Sequence, residues 1–146
     1  MTPRQAVDRY LQPLRRALAC ATDAYVAVAG TTALGEVLNL VVGAADAPVC
    51  FPRSPYRVHI SQACQIVKDG TGHRLSTRRY SYELSHDDHG EVLRYDWHPD
   101  IGPPFPHVHL ALAKRTGVFR DLHKLHVPTG RVAVEDVLHL LLGELK

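Results

Sequence analysis

The spacing of the apolar residues changes near residue 56, and this change constrains the fold more than any other feature of the sequence. Before it, apolar residues such as Val7, Leu11 and Leu14 recur every three or four positions, which is the period of an amphipathic helix. From Tyr56 onward apolar residues such as Val58 alternate with polar ones, which is the period of a strand. The sequence therefore predicts helix first and sheet afterwards.

Helices are predicted at both ends of the chain. Thr2 and Pro3 supply an N-cap and a first helical position for the first helix, which Pro13 is expected to kink or split. A second helix is predicted over 34–42, although its β-branched residues also allow a strand. A last helix is expected over about 134–145.

Between these helices, turn-rich segments separate several alternating stretches, as in an antiparallel meander. The predicted class is α+β, with an antiparallel sheet of four to five strands over about residues 56–127 and helices at the N- and C-terminal ends. The length of 146 residues is that of a single domain. We divide it into a helical apolar part (1–50) and a histidine-rich sheet with its closing helix (56–146).

Charge and cysteine content exclude several classes of protein. Residues 1–58 contain six Lys and Arg against four Asp and Glu, and the remainder contains eleven of each, so no long basic stripe marks a nonspecific nucleic-acid binder. The three cysteines, Cys20, Cys50 and Cys64, lack the spacing of a zinc finger or a disulfide framework, and we expect reduced core thiols. The sequence shows no secretory signal and no apolar membrane span, so we expect a cytoplasmic protein that does not enter a membrane.

All ten histidines lie after residue 58, and two of them share one face of a predicted strand. In the segment HVHLALA, which starts at residue 107, alternation places His107 and His109 opposite the apolar row of Val108 and Leu110. Two adjacent imidazoles suit either a metal or an acid and base pair, and a solvated polar face also explains them. On the preceding strand the same alternation places Arg94 and Asp96 on one face.

If these two strands are neighbours, their polar residues converge on a site that suits two kinds of chemistry. Without metal, His107 and His109 act as acid and base in RNA cleavage while Arg94 stabilises the phosphorane. With metal, His107 and His109 together with Asp96, or with His98 or His126 in its place, form a site for zinc or another divalent transition metal. A simple cross-strand ion pair also explains Arg94 and Asp96.

The only basic cluster consists of Arg78 and Arg79 beside Tyr80, with Arg74 nearby. Arginines next to a tyrosine suit phosphate contact and base stacking, so these residues are predicted to bind nucleic acid. A charged sheet edge is the alternative interpretation.

Residues 80–142 combine five short motifs: a Tyr-x-Tyr strand, an acidic glycine turn, a Leu-x-Arg-Tyr-Asp strand end, a proline-preceded His-x-His pair and a closing helix with Glu-Asp near its start. In this combination the segment resembles the TumE-type toxins of bacterial toxin-antitoxin pairs. The resemblance implies a small α+β toxin that acts on RNA or translation and is neutralised by a cognate antitoxin. The matching positions are Tyr80, Tyr82, Gly90, Leu93, Arg94, Tyr95, Asp96, Pro106, His107, His109, Glu135, Asp136 and Leu138.

Two further hypotheses complete the set. The segment FPHVHLALAK also resembles the histidine-triad nucleotide hydrolases, but Ala111 stands where their third histidine is expected. In a non-catalytic interaction module, the apolar N-terminal helices would form a homodimer or partner interface through Leu34, Val37, Leu38, Val41 and Val42.

Overall fold

The computed structural model describes residues 1–43, 47–116 and 120–144. Its regular elements, in chain order, are α1 (Pro3–Ala19), β1 (Val26–Ala29), β2 (Val37–Val42), β3 (Val49–Cys50), β4 (Tyr56–Asp69), β5 (Gly72–His86), β6 (Gly90–Trp97), β7 (His107–His109), α2 (Ala113–Thr116), a 3-10 helix (Arg120–Lys124), β8 (Val127–Pro128), α3 (Val134–His139) and a π-helix (Leu140–Glu144).

All eight strands belong to one sheet in which every described pairing is antiparallel. The order is β1-β2-β4-β5-β6-β7-β8, and β3 pairs with β4 outside this path. The long hairpin of β4 and β5 forms the centre of the sheet. The pairing register shifts between Ala63 and Cys64 of β4, and Arg78 is the extra residue of the resulting β-bulge in β5. The sheet thus joins the N-terminal part of the chain to the histidine-rich part.

One face of the sheet carries the hydrophobic core and is called the covered face here. It presents Tyr80, Tyr82 and Trp97, against which α3 packs through residues such as Leu138. Helix α1 packs on the same face, because its apolar stripe contacts both this cluster and a second one around Leu38 and Ile66. At about 25 cal/mol per Å² of apolar area removed from water, this face supplies most of the favourable free energy of folding.

The predicted α+β class is confirmed, but the sheet has eight strands and not four to five. The additional strands come mainly from the N-terminal part, where β1, β2 and β3 replace the helical structure expected before residue 50. Prediction of a helix over 34–42 was wrong, because Leu38, Leu40 and Val42 are buried in strand alternation and β2 pairs with β4. β-branched side chains favour this outcome.

Other local predictions also need correction. Helix α1 runs through Pro13 without being split, since its apolar residues on both sides of the proline are buried. The strand expected over 107–113 ends at His109, and Leu112 is exposed. The closing α-helix ends at His139 and continues as the π-helix; the last predicted residue, Leu145, lies outside the described residues. Of the expected core thiols, only Cys64 is buried.

The N-terminal surface predicted as an interface is partly buried inside the fold. Leu38 and Val42 are buried in the core, whereas Leu34 and Val37 are exposed. The homodimer therefore stays a prediction. Of the five apolar residues assigned to its interface, two are clearly exposed. Among the described residues, no helix has the length and apolar character to cross a membrane.

Candidate metal centre

The face opposite the covered one, called the polar face here, holds Arg94, Asp96, His107 and His109. Strands β6 and β7 pair so that Arg94 lies opposite His109 and Asp96 lies opposite His107, which confirms that the two strands are neighbours. Because directly paired residues point to the same side of a sheet, all four side chains converge.

A third imidazole reaches this cluster from His126, the residue immediately before β8. The pairing of His107 with Pro128 and of Val108 with Val127 extends by one residue to place His126 opposite His109. The rings confirm the juxtaposition, since the centroid of His126 is 4.8 Å from that of His107 and 4.8 Å from that of His109.

The three imidazoles direct nitrogen atoms toward one another. The Nε2 atoms of His107 and His109 are 3.2 Å apart, and one nitrogen from each ring lies within 4.8 Å of the others. His107 is only 3% exposed, whereas His109 is half-buried and His126 is exposed. A rigid pair of imidazoles is thus joined by a third that remains accessible to solvent.

Asp96 places a buried carboxylate beside these rings. Its Oδ2 atom accepts a hydrogen bond from Arg94 Nε at 2.7 Å and lies 3.4 Å from His109 Nε2. Its Oδ1 atom is buried and has no hydrogen-bond partner within the described ranges; the nearest basic nitrogen is His98 Nε2 at 3.9 Å. Asp96 thus directs one carboxylate oxygen toward Arg94 and His109 and the other toward His98.

Backbone and charge contacts set the state of the imidazoles. His107 Nδ1 lies 3.0 Å from the Phe105 carbonyl oxygen, which accepts a hydrogen bond when Nδ1 carries the proton. That tautomer leaves Nε2 free to accept a metal. Burial, and then the positive charge of Arg94, lower the pKa of His109, and this favours the neutral ring that metal ligation needs.

The geometry fits a tetrahedral transition metal. Zinc binds histidine nitrogen at about 2.0–2.1 Å, so two tetrahedral ligand nitrogens lie about 3.3 Å apart. The His107 and His109 pair has this spacing already. The exposed His126 would be the third ligand, and Asp96 lies next to this set, with its Oδ2 atom 3.4 Å from His109 Nε2.

Of the alternative metal ligands predicted from sequence, His126 joins the cluster directly and His98 lies on its border next to Asp96. The pairing register of β7 and β8 is what identifies His126 as a member of the cluster. The segment LHKLH around it is a 3-10 helix followed by a short irregular stretch, so its sequence has no helix or strand periodicity that would show where His126 points.

The predicted nucleic-acid-binding residues divide between the two sides of the sheet. Arg78 and Arg79 are exposed. Tyr80, in contrast, is 2% exposed, stacks on Tyr82 in the core and accepts a hydrogen bond from the Val132 amide. Its ring is therefore not available for stacking with a base.

No protein-family model, no curated protein and no solved structure matches this chain. The toxin resemblance consequently stays a prediction from short motifs, and the arguments about function rest on the geometry of the site.

Proposed function

We propose that the protein is a metal-dependent hydrolase whose metal, zinc in the first instance, is held by His107, His109 and His126. The observation that carries the proposal is the convergence of three imidazole nitrogens within 4.8 Å, including a 3.2 Å pair. Three histidine ligands with one open position are the pattern of catalytic zinc, in contrast to the four protein ligands of structural zinc.

Such a centre supplies a nucleophile at neutral pH, because a bound zinc lowers the pKa of its water to about 7. The protein's own contribution is to hold the ligands and to handle the proton. We assign Asp96 to accept that proton, since its carboxylate lies 3.4 Å from Nε2 of the proposed ligand His109. Arg94 fixes the carboxylate through Oδ2, which makes it a positioning residue.

Metal-free cleavage of RNA by His107 and His109, the leading prediction from sequence, finds less support in this geometry. In an in-line displacement at phosphorus the attacking and leaving oxygens lie on opposite sides, and the base and the acid must each reach one of them. Two nitrogens that face each other at 3.2 Å leave no room for a phosphate group between them.

The test compares hydrolysis by metal-free and zinc-loaded protein, with an activated carboxylic ester and an activated phosphodiester as substrates. We expect activity only in the zinc-loaded form, lost in His126→Ala and retained in His89→Ala, a histidine exposed in a distant turn. Equal activity with and without metal, abolished by His107→Ala, would restore the acid and base mechanism. Activity in neither form would reject hydrolysis of these esters.

The toxin role is tested separately, because it concerns the cell and not the metal. We expect expression of the wild type to arrest growth and His107→Ala to relieve the arrest, with a cognate antitoxin protein as the neutralising partner. Equal growth with both proteins would reject the toxin role and leave the metal centre unaffected.

A further inference from the structure

A second site lies beside the metal centre, in a pocket of about 720 Å³ that three arginines line. These are Arg78 and Arg79 from β5 and Arg131 from the segment before α3, together called the arginine pocket here. Ser76 and Thr77 add hydroxyl groups to the wall, and Asp100 is its only acidic residue. Three positive charges against one negative charge give the pocket a net charge of +2.

The arginines of this pocket have no acidic partner among the described residues. Arg78 donates to the side-chain oxygen of Gln65, a neutral acceptor. Arg131 lies over the Trp97 ring, with its guanidinium carbon 4.2 Å from the ring centroid, and Arg79 has no described hydrogen bond or ion pair. Grouped guanidinium ions without a counter-charge repel one another and attract anions, phosphates in particular.

The arginine pocket adjoins the metal centre along the same strands. Ser81 of β5, Asp96 of β6 and His107 of β7 lie side by side across the sheet, and Arg79 is two residues from Ser81 on β5. With strands about 4.8 Å apart and a rise of about 3.4 Å per residue, the backbones of Arg79 and His107 are about 12 Å apart. A nucleotide or a short single strand is long enough to bridge the two sites.

From this arrangement we infer that the substrate of the metal centre carries a phosphate group that binds in the arginine pocket. The inference rests on the proposed function and adds the class of substrate to it. The phosphate belongs either to a neighbouring nucleotide of a single strand or to a free nucleotide. Trp97 holds the Arg131 guanidinium in place and is itself 9% exposed, so contact is made by charge and hydrogen bonds and not by base stacking.

The experiment measures binding of a fluorescein-labelled short single-stranded RNA by anisotropy, over a range of salt concentrations. We expect Arg79→Ala to weaken binding about tenfold and to reduce the salt slope by about one, as for loss of one charge-assisted phosphate contact. The matched control is Arg16→Ala, which removes an exposed arginine from α1 on the other side of the sheet. Asp100→Asn is expected to strengthen binding.

Unlabelled AMP identifies the source of the phosphate. Full displacement of the RNA by AMP at concentrations comparable to the RNA dissociation constant assigns the pocket to a free nucleotide, and failure to displace it assigns the pocket to a strand. Either result supports the inference. An equal loss in Arg79→Ala and Arg16→Ala, or absence of binding by both probes, would overturn it.

The same assay separates this inference from the proposed function. The metal-free wild type is expected to bind RNA through Arg79, because the arginine pocket contains none of the three proposed metal ligands. Binding that depends on Arg79 in a protein that takes up no zinc would reject the metal centre alone. If the protein binds zinc and hydrolyses the substrates, but Arg79→Ala binds RNA as tightly as the wild type does, only the arginine pocket is rejected.

Discussion

The two faces of the sheet differ in what their side chains contribute. On the covered face, Tyr80, Tyr82 and Leu138 are almost completely buried, and the hydroxyl groups of both tyrosines have hydrogen-bond partners. On the polar face, Asp96 and His107 are also buried, yet one carboxylate oxygen of Asp96 has no described partner. The buried side chains of the covered face therefore stabilise the fold, whereas the buried side chains of the polar face form the proposed binding site.

The largest effect on stability is expected from the covered face. Leu138→Ala removes a side chain that is 1% exposed and leaves a cavity, so the free energy of unfolding should fall by about 2–5 kcal/mol. Urea denaturation measures this change. The control is Leu34→Ala, at a position that is 47% exposed, where a change within about 0.5 kcal/mol is expected. Similar losses in both variants would contradict the assignment of the core.

The next effect concerns the polar face and appears in metal affinity. Asp96→Asn keeps the shape of the side chain but removes the charge that holds Arg94 and faces the metal position. We expect zinc affinity to fall about 10–100-fold, as is typical when a group next to metal ligands is changed. Asp100→Asn is the matched control and should leave zinc affinity unchanged; equal affinity in both variants would separate Asp96 from the metal centre.

A smaller effect, on the pH dependence of stability, again comes from the covered face. The Tyr10 hydroxyl lies against Thr77 and accepts a hydrogen bond from the Gln62 side-chain amide, and burial raises the pKa of Tyr10 to about 12. Because an unfolded tyrosine titrates near pH 10, the stabilising contribution of the protonated hydroxyl is complete below about pH 10 and is lost as the pH rises through about 12.

Tyr10→Phe is therefore expected to flatten the fall in unfolding free energy between about pH 10 and about pH 12. Urea denaturation at several pH values in this window gives the slope. The wild type keeps part of the fall in any case, because burial also raises the pKa of Tyr82. An unchanged slope in Tyr10→Phe would show that the Tyr10 hydroxyl is not buried.

The smallest effect sharpens the contrast between the faces. Ser81 pairs with Asp96 across β5 and β6, and its side chain lies on the polar face. Ser81→Ala is expected to change the free energy of unfolding by less than about 0.5 kcal/mol, because no packed side chain is lost. Thermal denaturation measures the difference, and a loss above about 2 kcal/mol would show that this face also contributes to the core.

The sequence predicted the central sheet and one half of the site, because alternation is a local property. The faces of Arg94, Asp96, His107 and His109 follow from a period of two and needed only the pairing of β6 with β7. The helix predicted over 34–42 failed because its apolar spacing fits both periods, and only pairing with β4 decides between them.

What could not be predicted depends on contacts between distant segments. From the sequence, His126 is only one of several alternatives for the third ligand, and the register of β7 with the two-residue strand β8 is what brings it to the other two rings. Likewise, Tyr80 stands next to two exposed arginines in the sequence, but strand alternation turns its ring into the core. Arg131 is 52 residues from Arg79 in the numbering and meets it only in the folded chain.

Zinc binding by untagged protein, titrated in competition with a chromophoric chelator, tests the central claim most directly. We predict one equivalent of zinc for the wild type and for the His89→Ala control. His107→Ala, His109→Ala and His126→Ala should each lose tight binding while keeping the circular dichroism spectrum of the wild type. Absence of stoichiometric zinc in the wild type, or zinc binding that survives all three substitutions, would contradict the account.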